Sequence, residues 1–109
     1  MAGLDANGTA DMRFDLAEAD GDGLTVTISG ELDITNVDAL EEAVRSALDR
    51  RPGRLIIELS DLRFADSSAI ALWVRWSTSV DEIELRDVSP ILRRVIDSMG
   101  LAATLGVKS

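Results

Sequence analysis

The sequence predicts one α/β domain: a mixed sheet of four to five strands, opened by an antiparallel hairpin, with helices mainly on one face. Three observations carry this. Two runs of period-two alternation flank an Asp-Gly turn near the start, the sign of a half-buried hairpin. After them, apolar runs of strand length alternate with stretches of helical periodicity, which implies parallel strands joined by right-handed crossovers. Finally, the hairpin keeps a polar face while the next strand is almost wholly apolar, so cover is needed chiefly on one side.

In the hairpin, Met12, Phe14 and Leu16 alternate with Arg13 and Asp15, and Leu24, Val26 and Ile28 alternate with Thr25, Thr27 and Ser29. Asp20-Gly21-Asp22-Gly23 lies between them. These acids do not form a calcium loop. With Glu18 in the first position the twelfth is Ser29, and with Asp20 first the glycine position holds Thr25. Thr35, three residues before Asp38, resembles a capping box, and Val37, Leu40, Val44, Ala47 and Leu48 then recur at helical spacing. Pro52-Gly53 ends that helix. Leu55-Ile56-Ile57-Glu58-Leu59 reads as a covered strand, and residues 66–76 as a second helix. Ile83 and Leu85 alternate with Glu82, Glu84 and Arg86 as a further strand. Ser89-Pro90 is an N-cap followed by proline at the first helical position, and Gly100 suits the C-terminal end. Ile91, Leu92, Val95 and Met99 are expected to form the buried stripe of this third helix. The tail from residue 101 is expected to add a short strand or a helical turn, and residues 1–10, small and aperiodic, read as a disordered leader before a domain over 11–109.

Composition removes several functional classes. The 109 residues include no cysteine and no histidine, which excludes disulfides, thiol chemistry, imidazole bases and the usual zinc ligands. A net charge of −9, from 11 basic and 20 acidic residues, argues against nucleic acid. The basic groups Arg50-Arg51 with Arg54, and Arg93-Arg94, are small and lack interleaved aromatics. No apolar run approaches the ~20 residues needed to cross a bilayer, so neither membrane insertion nor a signal peptide is expected and the place is cytoplasmic. Nor does the sequence fit an enzyme. Ser67 beside Asp66 has no histidine to activate it and no Gly-x-Ser-x-Gly elbow, and Lys108 in the tail makes a poor base. No Gly-rich phosphate cradle and no cofactor signature is present.

The chemistry concentrates where the second helix begins, at Asp66-Ser67-Ser68. Free backbone N–H groups and the positive dipole end there favour an anion, including a phosphate carried on Ser67. The structural alternative is that Asp66 or Ser67 caps the helix. On that helix Ile70, Trp73, Val74 and Ser77 lie on one side and Ala69, Leu72 and Trp76 on another. Either one side is left as a docking patch near the serine, or a neighbouring helix covers both.

Three segments resemble the STAS domain family and, within it, the bacterial anti-sigma factor antagonists. Gly30-Glu31-Leu32-Asp33 looks like the family's segment before the first helix, and Asp61-Leu62-Arg63-Phe64-Ala65-Asp66-Ser67-Ser68 like its phosphorylation segment. Ser89-Pro90 with Arg94 and Gly100-Leu101 resembles its closing helix. The resemblance spans about residues 12–101. It departs from the family at Ala69, where glycine is usual, and in the short link after the second helix.

The resemblance implies a protein switch. The matching acceptor is Ser67, with Ser68 the second choice, phosphorylated by an anti-sigma factor that is itself a serine kinase. Unmodified, the antagonist holds the anti-sigma factor and frees a sigma factor; phosphorylated, it lets go. The partner surface expected from this comprises Asp33, Thr35, Asp66, Ser67, Ser68, Ala69, Leu72 and Trp76, with at most a weak homodimer. The rival reading is a STAS subunit of a lipid-transport ABC complex, working without phosphorylation.

Overall fold

The hairpin forms as the alternation dictates. In the computed structural model, which describes residues 11–19 and 21–107, β1 (Met12–Ala19) runs antiparallel to β2 (Gly23–Leu32), with Phe14 opposite Ile28 and Leu16 opposite Val26. The expected leader, Asp20 and Lys108 lie outside the described residues. The chain continues through α1 (Val37–Asp49), β3 (Arg54–Glu58), β4 (Leu62–Ala65), α2 (Ser67–Ser77), β5 (Glu82–Arg86) and α3 (Pro90–Ser98). Its sheet order is β1-β2-β3-β5, with β3 parallel to both neighbours, and β4 pairs with β2.

The period-two pattern decides which face is covered. Val26, Ile28, Leu55, Ile57 and Leu85 pack in one core cluster with Leu40 and Val44 of α1, Ile70 and Trp73 of α2, and Leu92 and Ile96 of α3. All three helices therefore lie on one face of the sheet. The opposite face carries Thr25, Thr27, Arg54, Ile56, Glu84 and Arg86. Ile56 is buried there yet stands apart from the core cluster. Glu84 is buried beside it, and both Arg54 and Arg86 donate to its carboxylate. Two guanidiniums on one carboxylate satisfy a charge that would otherwise be costly to bury.

Three details differ from the sequence reading. β4 forms inside what reads as a turn. It pairs parallel to β2 through Gly30↔Leu62, Glu31↔Phe64 and Leu32↔Ala65, with a register shift at Gly30/Glu31. Gly30 makes this possible: its φ of 87 suits a residue without Cβ, and a Cβ there would strike the Asp11 carbonyl. The capping box does not form either. α1 starts at Val37 with Asn36 as its N-cap, because Asp33 captures Thr35 instead. On α3 the buried residues are Leu92 and Ile96, whereas Ile91, Val95 and Met99 are exposed. The sheet lies toward the Leu92–Ile96 side, and among the described residues nothing covers the adjoining side. The tail meets its expectation: the Leu105 N–H reaches the Leu101 carbonyl at 2.9 Å in a helical turn, Leu105 is buried, and Val107 forms a single parallel bridge to Leu85.

Gly100 closes α3 as expected. Its φ is 72, its N–H reaches the Asp97 carbonyl at 3.0 Å, and the Leu101 N–H reaches the Ile96 carbonyl at 3.1 Å. This is the six-to-one and five-to-two pairing of a Schellman end.

Candidate functional site

The β2–α1 turn, β4 and the start of α2 converge because β4 is paired with the end of β2. The Asp66 N–H donates to the Leu32 carbonyl at 3.3 Å, which brings the first residue after β4 against the last residue of β2. Asp66 then serves two elements at once. Its Oδ1 accepts the N–H groups of Ser68 at 2.9 Å and Ala69 at 3.3 Å, and its Oδ2 accepts the N–H of Ile34 at 3.1 Å. The cap of α2 is thus also the clasp that holds the β2–α1 turn.

That turn is stiffened from within. Asp33 Oδ1 accepts both the N–H of Thr35 at 2.9 Å and its hydroxyl at 2.5 Å. Hydrogen bonds from Thr35, side chain first and backbone second, hold the Asp33 carboxyl below its ordinary range. Asn36 is buried; its Oδ1 accepts from Asp33 N–H and its Nδ2 donates to the Glu31 carbonyl, both at 2.9 Å. The buried Asn36 side chain is thus satisfied at both its oxygen and its nitrogen, as buried polar atoms require.

Ser67 is the first residue of α2 and is exposed. Asp66 takes the cap, so capping does not engage the Ser67 hydroxyl, and among the described residues it makes no side-chain hydrogen bond. Ser68 is half-buried. The helix start is not the open anion cradle that its N–H groups suggest in isolation. The Asp66 carboxylate already occupies the amides of Ser68 and Ala69, so a second anion on Ser67 would stand beside a filled negative cap.

The expected docking patch on α2 is absent. Ala69, Leu72 and Trp76 are all buried, as are Ile70 and Trp73 on the other side. α1 and the sheet between them cover both sides, with Arg75 of α2 tied to Glu41 of α1 at 3.2 Å. The Ala69 methyl likewise points into the core and leaves the surface beside Ser67 free. The exposed apolar groups at this end come instead from Ile34, 69% exposed, and Phe64, 52% exposed. The backbone of Ile34 is fixed by Asp66, and Phe64 is registered opposite Glu31 of β2. Sequence reasoning missed both because each sits in a segment read as a connection. A phenylalanine two residues before Asp66 and an isoleucine directly after Asp33, each in an otherwise polar connection, were the available signal.

Asp33, Thr35, Asp66, Ser67 and Ser68 therefore come together, while Ala69, Leu72 and Trp76 belong to the core. Among the described residues no group of acids is placed to hold a metal ion, and no helix is long and apolar enough to cross a membrane. The surface hollow lined by Glu41, Arg45, Asp49, Arg75 and Ser79 lies at the far end of α2 from Ser67.

Several solved structures share this shape. An anti-sigma factor antagonist from Mycobacterium paratuberculosis superimposes with a TM-score of 0.81 at 23% identity, covering 93% of this chain and 88% of that one. The unphosphorylated anti-sigma factor antagonist SpoIIAA gives 0.71 at 22% identity over 88% of both chains. The Bacillus cell fate determinant SpoIIAA in its phosphorylated form gives 0.67 at 22% identity, over 88% of this chain and 91% of that one. At these identities the likeness establishes the shared fold. A search of curated proteins by sequence found no match. The family model described as "Mlab, STAS domain" matches residues 16–107, nearly all of the described fold, and the chain belongs to the STAS domain family.

Proposed function

We propose that this protein is an anti-sigma factor antagonist whose hold on its partner is switched by phosphorylation of Ser67. Unmodified, it sequesters an anti-sigma factor with serine kinase activity and thereby frees a sigma factor. Phosphorylated, it releases that partner. It is a binding module and not an enzyme, and it works in the cytoplasm. The observation that carries this reading is the free, exposed Ser67 hydroxyl at the first position of α2, directly after a cap that Asp66 already fills.

The physics of release follows from that arrangement. Phosphate adds about −1.5 to −2 charges. With the neighbouring amides taken by Asp66, the new charge gains little from the helix end and faces outward beside a carboxylate. The fold keeps its hydrogen bonds, and the complex bears the cost. Docking would require the phosphate to lose water next to Asp66, and a penalty of ~3 kcal/mol weakens binding more than a hundredfold. Ile34 and Phe64 supply the apolar contact, with Asp33, Thr35 and Ser68 around them.

Incubating the full chain with ATP and the host's anti-sigma kinases, then mapping phosphate on the peptide spanning residues 66–68, tests this directly. Phosphate on Ser67, with Ser67→Ala binding constitutively and Ser67→Asp binding weakly, is the expected result. Equal affinity of the two variants would count against the switch. The family model's Mlab description favours one other reading, a STAS subunit of a lipid-transport ABC complex. That subunit would bind its ATPase with no phosphate on Ser67, so the same experiment separates the two.

A further inference from the structure

β1 is the end strand of the sheet order β1-β2-β3-β5, and its outer edge is open among the described residues. The Asp11 carbonyl accepts the Glu31 N–H at 2.9 Å, and Met12 stands opposite Gly30. In an antiparallel ladder this means that the odd-numbered residues of β1 exchange backbone hydrogen bonds with β2. Met12, Phe14, Leu16 and Glu18 therefore turn their N–H and C=O groups outward, where no backbone group of the described residues meets them. Such an edge is a template for another strand. The side chains sort by face: Arg13 and Asp15 are exposed on the open face, while Met12 is buried and Phe14 and Leu16 half-buried on the helix-covered one.

We infer that β1 pairs antiparallel with β1 of a second copy of this chain, about a two-fold axis at Phe14. That axis sets Phe14 opposite Phe14 and Met12 opposite Leu16 as hydrogen-bonded pairs, so the outward N–H and C=O groups of all three gain partners. The half-buried rings and methyls of Phe14 and Leu16 meet across the seam on the helix-covered face. On the open face Arg13 of each copy lies opposite Asp15 of the other. These are non-hydrogen-bonded positions, where Cα atoms are only ~4.5 Å apart and facing side chains interact most closely.

The charges choose this register over its neighbours. An axis at Arg13 sets Arg13 against Arg13, and an axis at Asp15 sets Asp15 against Asp15; like charges directly opposite destabilise a strand pair. An axis at Leu16 puts Phe14 against Glu18, and an axis at Met12 carries Phe14 and Leu16 past the start of the second copy's β1. The contact is isologous and closes as a dimer. It lies at the low end of interface sizes, and each copy carries a charge of −9 that opposes it. The seam itself is neutral, because Arg13 and Asp15 cancel, and salt near 0.15 M screens the general repulsion beyond ~8 Å.

Sedimentation equilibrium of the full chain at that salt tests the inference, and a reversible monomer–dimer equilibrium is expected. Arg13→Asp and Asp15→Arg should each raise the dissociation constant by at least about tenfold, since each sets like charges opposite twice. The double exchange, Arg13→Asp with Asp15→Arg, restores opposite charges and should return the parental value. General repulsion predicts otherwise: Asp15→Arg lowers the net negative charge and would tighten the dimer. All these side chains are exposed, so the circular dichroism spectra should match the parent. A chain that is monomeric at every concentration overturns the inference. So does a dimer that Asp15→Arg strengthens or leaves unchanged, or one that the double exchange does not restore.

Discussion

The carboxylate of Asp66 joins Ile34, thirty-two positions earlier in the chain, to the start of α2: Oδ2 accepts from Ile34 N–H at 3.1 Å while Oδ1 caps the helix. One side chain thereby couples the turn that follows β2 to the helix that carries Ser67. Whatever disturbs the charge beside Asp66 acts on both.

Asp66→Ala should therefore cost more than an ordinary cap. Loss of an N-cap is worth about 0.5–2 kcal/mol, and the half-exposed Ile34 amide loses its partner as well. Urea unfolding should place the variant near the top of that range. Asp66→Asn retains two acceptor sites only if its amide oxygen serves the cap, so it should fall between the parent and the alanine variant.

Leu72→Ala and Trp76→Ala test the burial of α2. If these residues fill the core, each should destabilise the domain by about 2–5 kcal/mol, as large core truncations do. Ile34→Ala and Phe64→Ala remove exposed groups and should alter stability by less than about 0.5 kcal/mol. On the proposed function the latter pair weakens anti-sigma factor binding, by calorimetry, by about 1–2 kcal/mol each. A Leu72 variant with parental stability would contradict the packing.

Both tryptophans are buried, Trp73 and Trp76. Their fluorescence should be blue-shifted in the free protein and should stay so when a partner docks at the Ser67 end. A large emission shift on binding would mean that α2 rearranges.

The stability of the domain should fall at acid pH partly through Glu84. The hydrogen bond from Arg86, then that from Arg54, hold its carboxyl below the ordinary value of 4.5 against the opposing effect of burial. A depressed folded-state value favours folding above the unfolded value, and this is lost as pH falls through the folded one. The decline should begin near pH 4.5 and continue below it, and Glu84→Gln should flatten that limb in pH-dependent melts. Glu58 acts with the opposite sign. Burial first, and Asp87 second, push its carboxyl up, so its contribution diminishes as pH rises through its raised value.

Much of the architecture was legible because local signals and tertiary packing agree. The hairpin, the three helices and the Ser89-Pro90 and Gly100 ends of α3 each follow from period, turn chemistry or a cap whose partners lie within a few residues. β4 was not legible. Four residues carry too little periodicity, and their strand character arises from pairing with β2 at a bulge that only Gly30 permits. The failure of the Thr35 capping box has a similar cause: Asp33 competes for the same hydroxyl at shorter range.

The same division runs through the site. Residue types alone determined that an acid and two hydroxyls open a helix, that histidine and thiol chemistry are absent, and that the surface is acidic. Tertiary structure alone decided that Asp66 fills the cap and leaves Ser67 free, that Leu72 and Trp76 face inward, and that Ile34, Phe64 and the outer stripe of α3 face solvent. Helical periodicity says which side chains share a side, but not which side meets the sheet. That choice belongs to the strands and helices packed around it, which are distant in sequence.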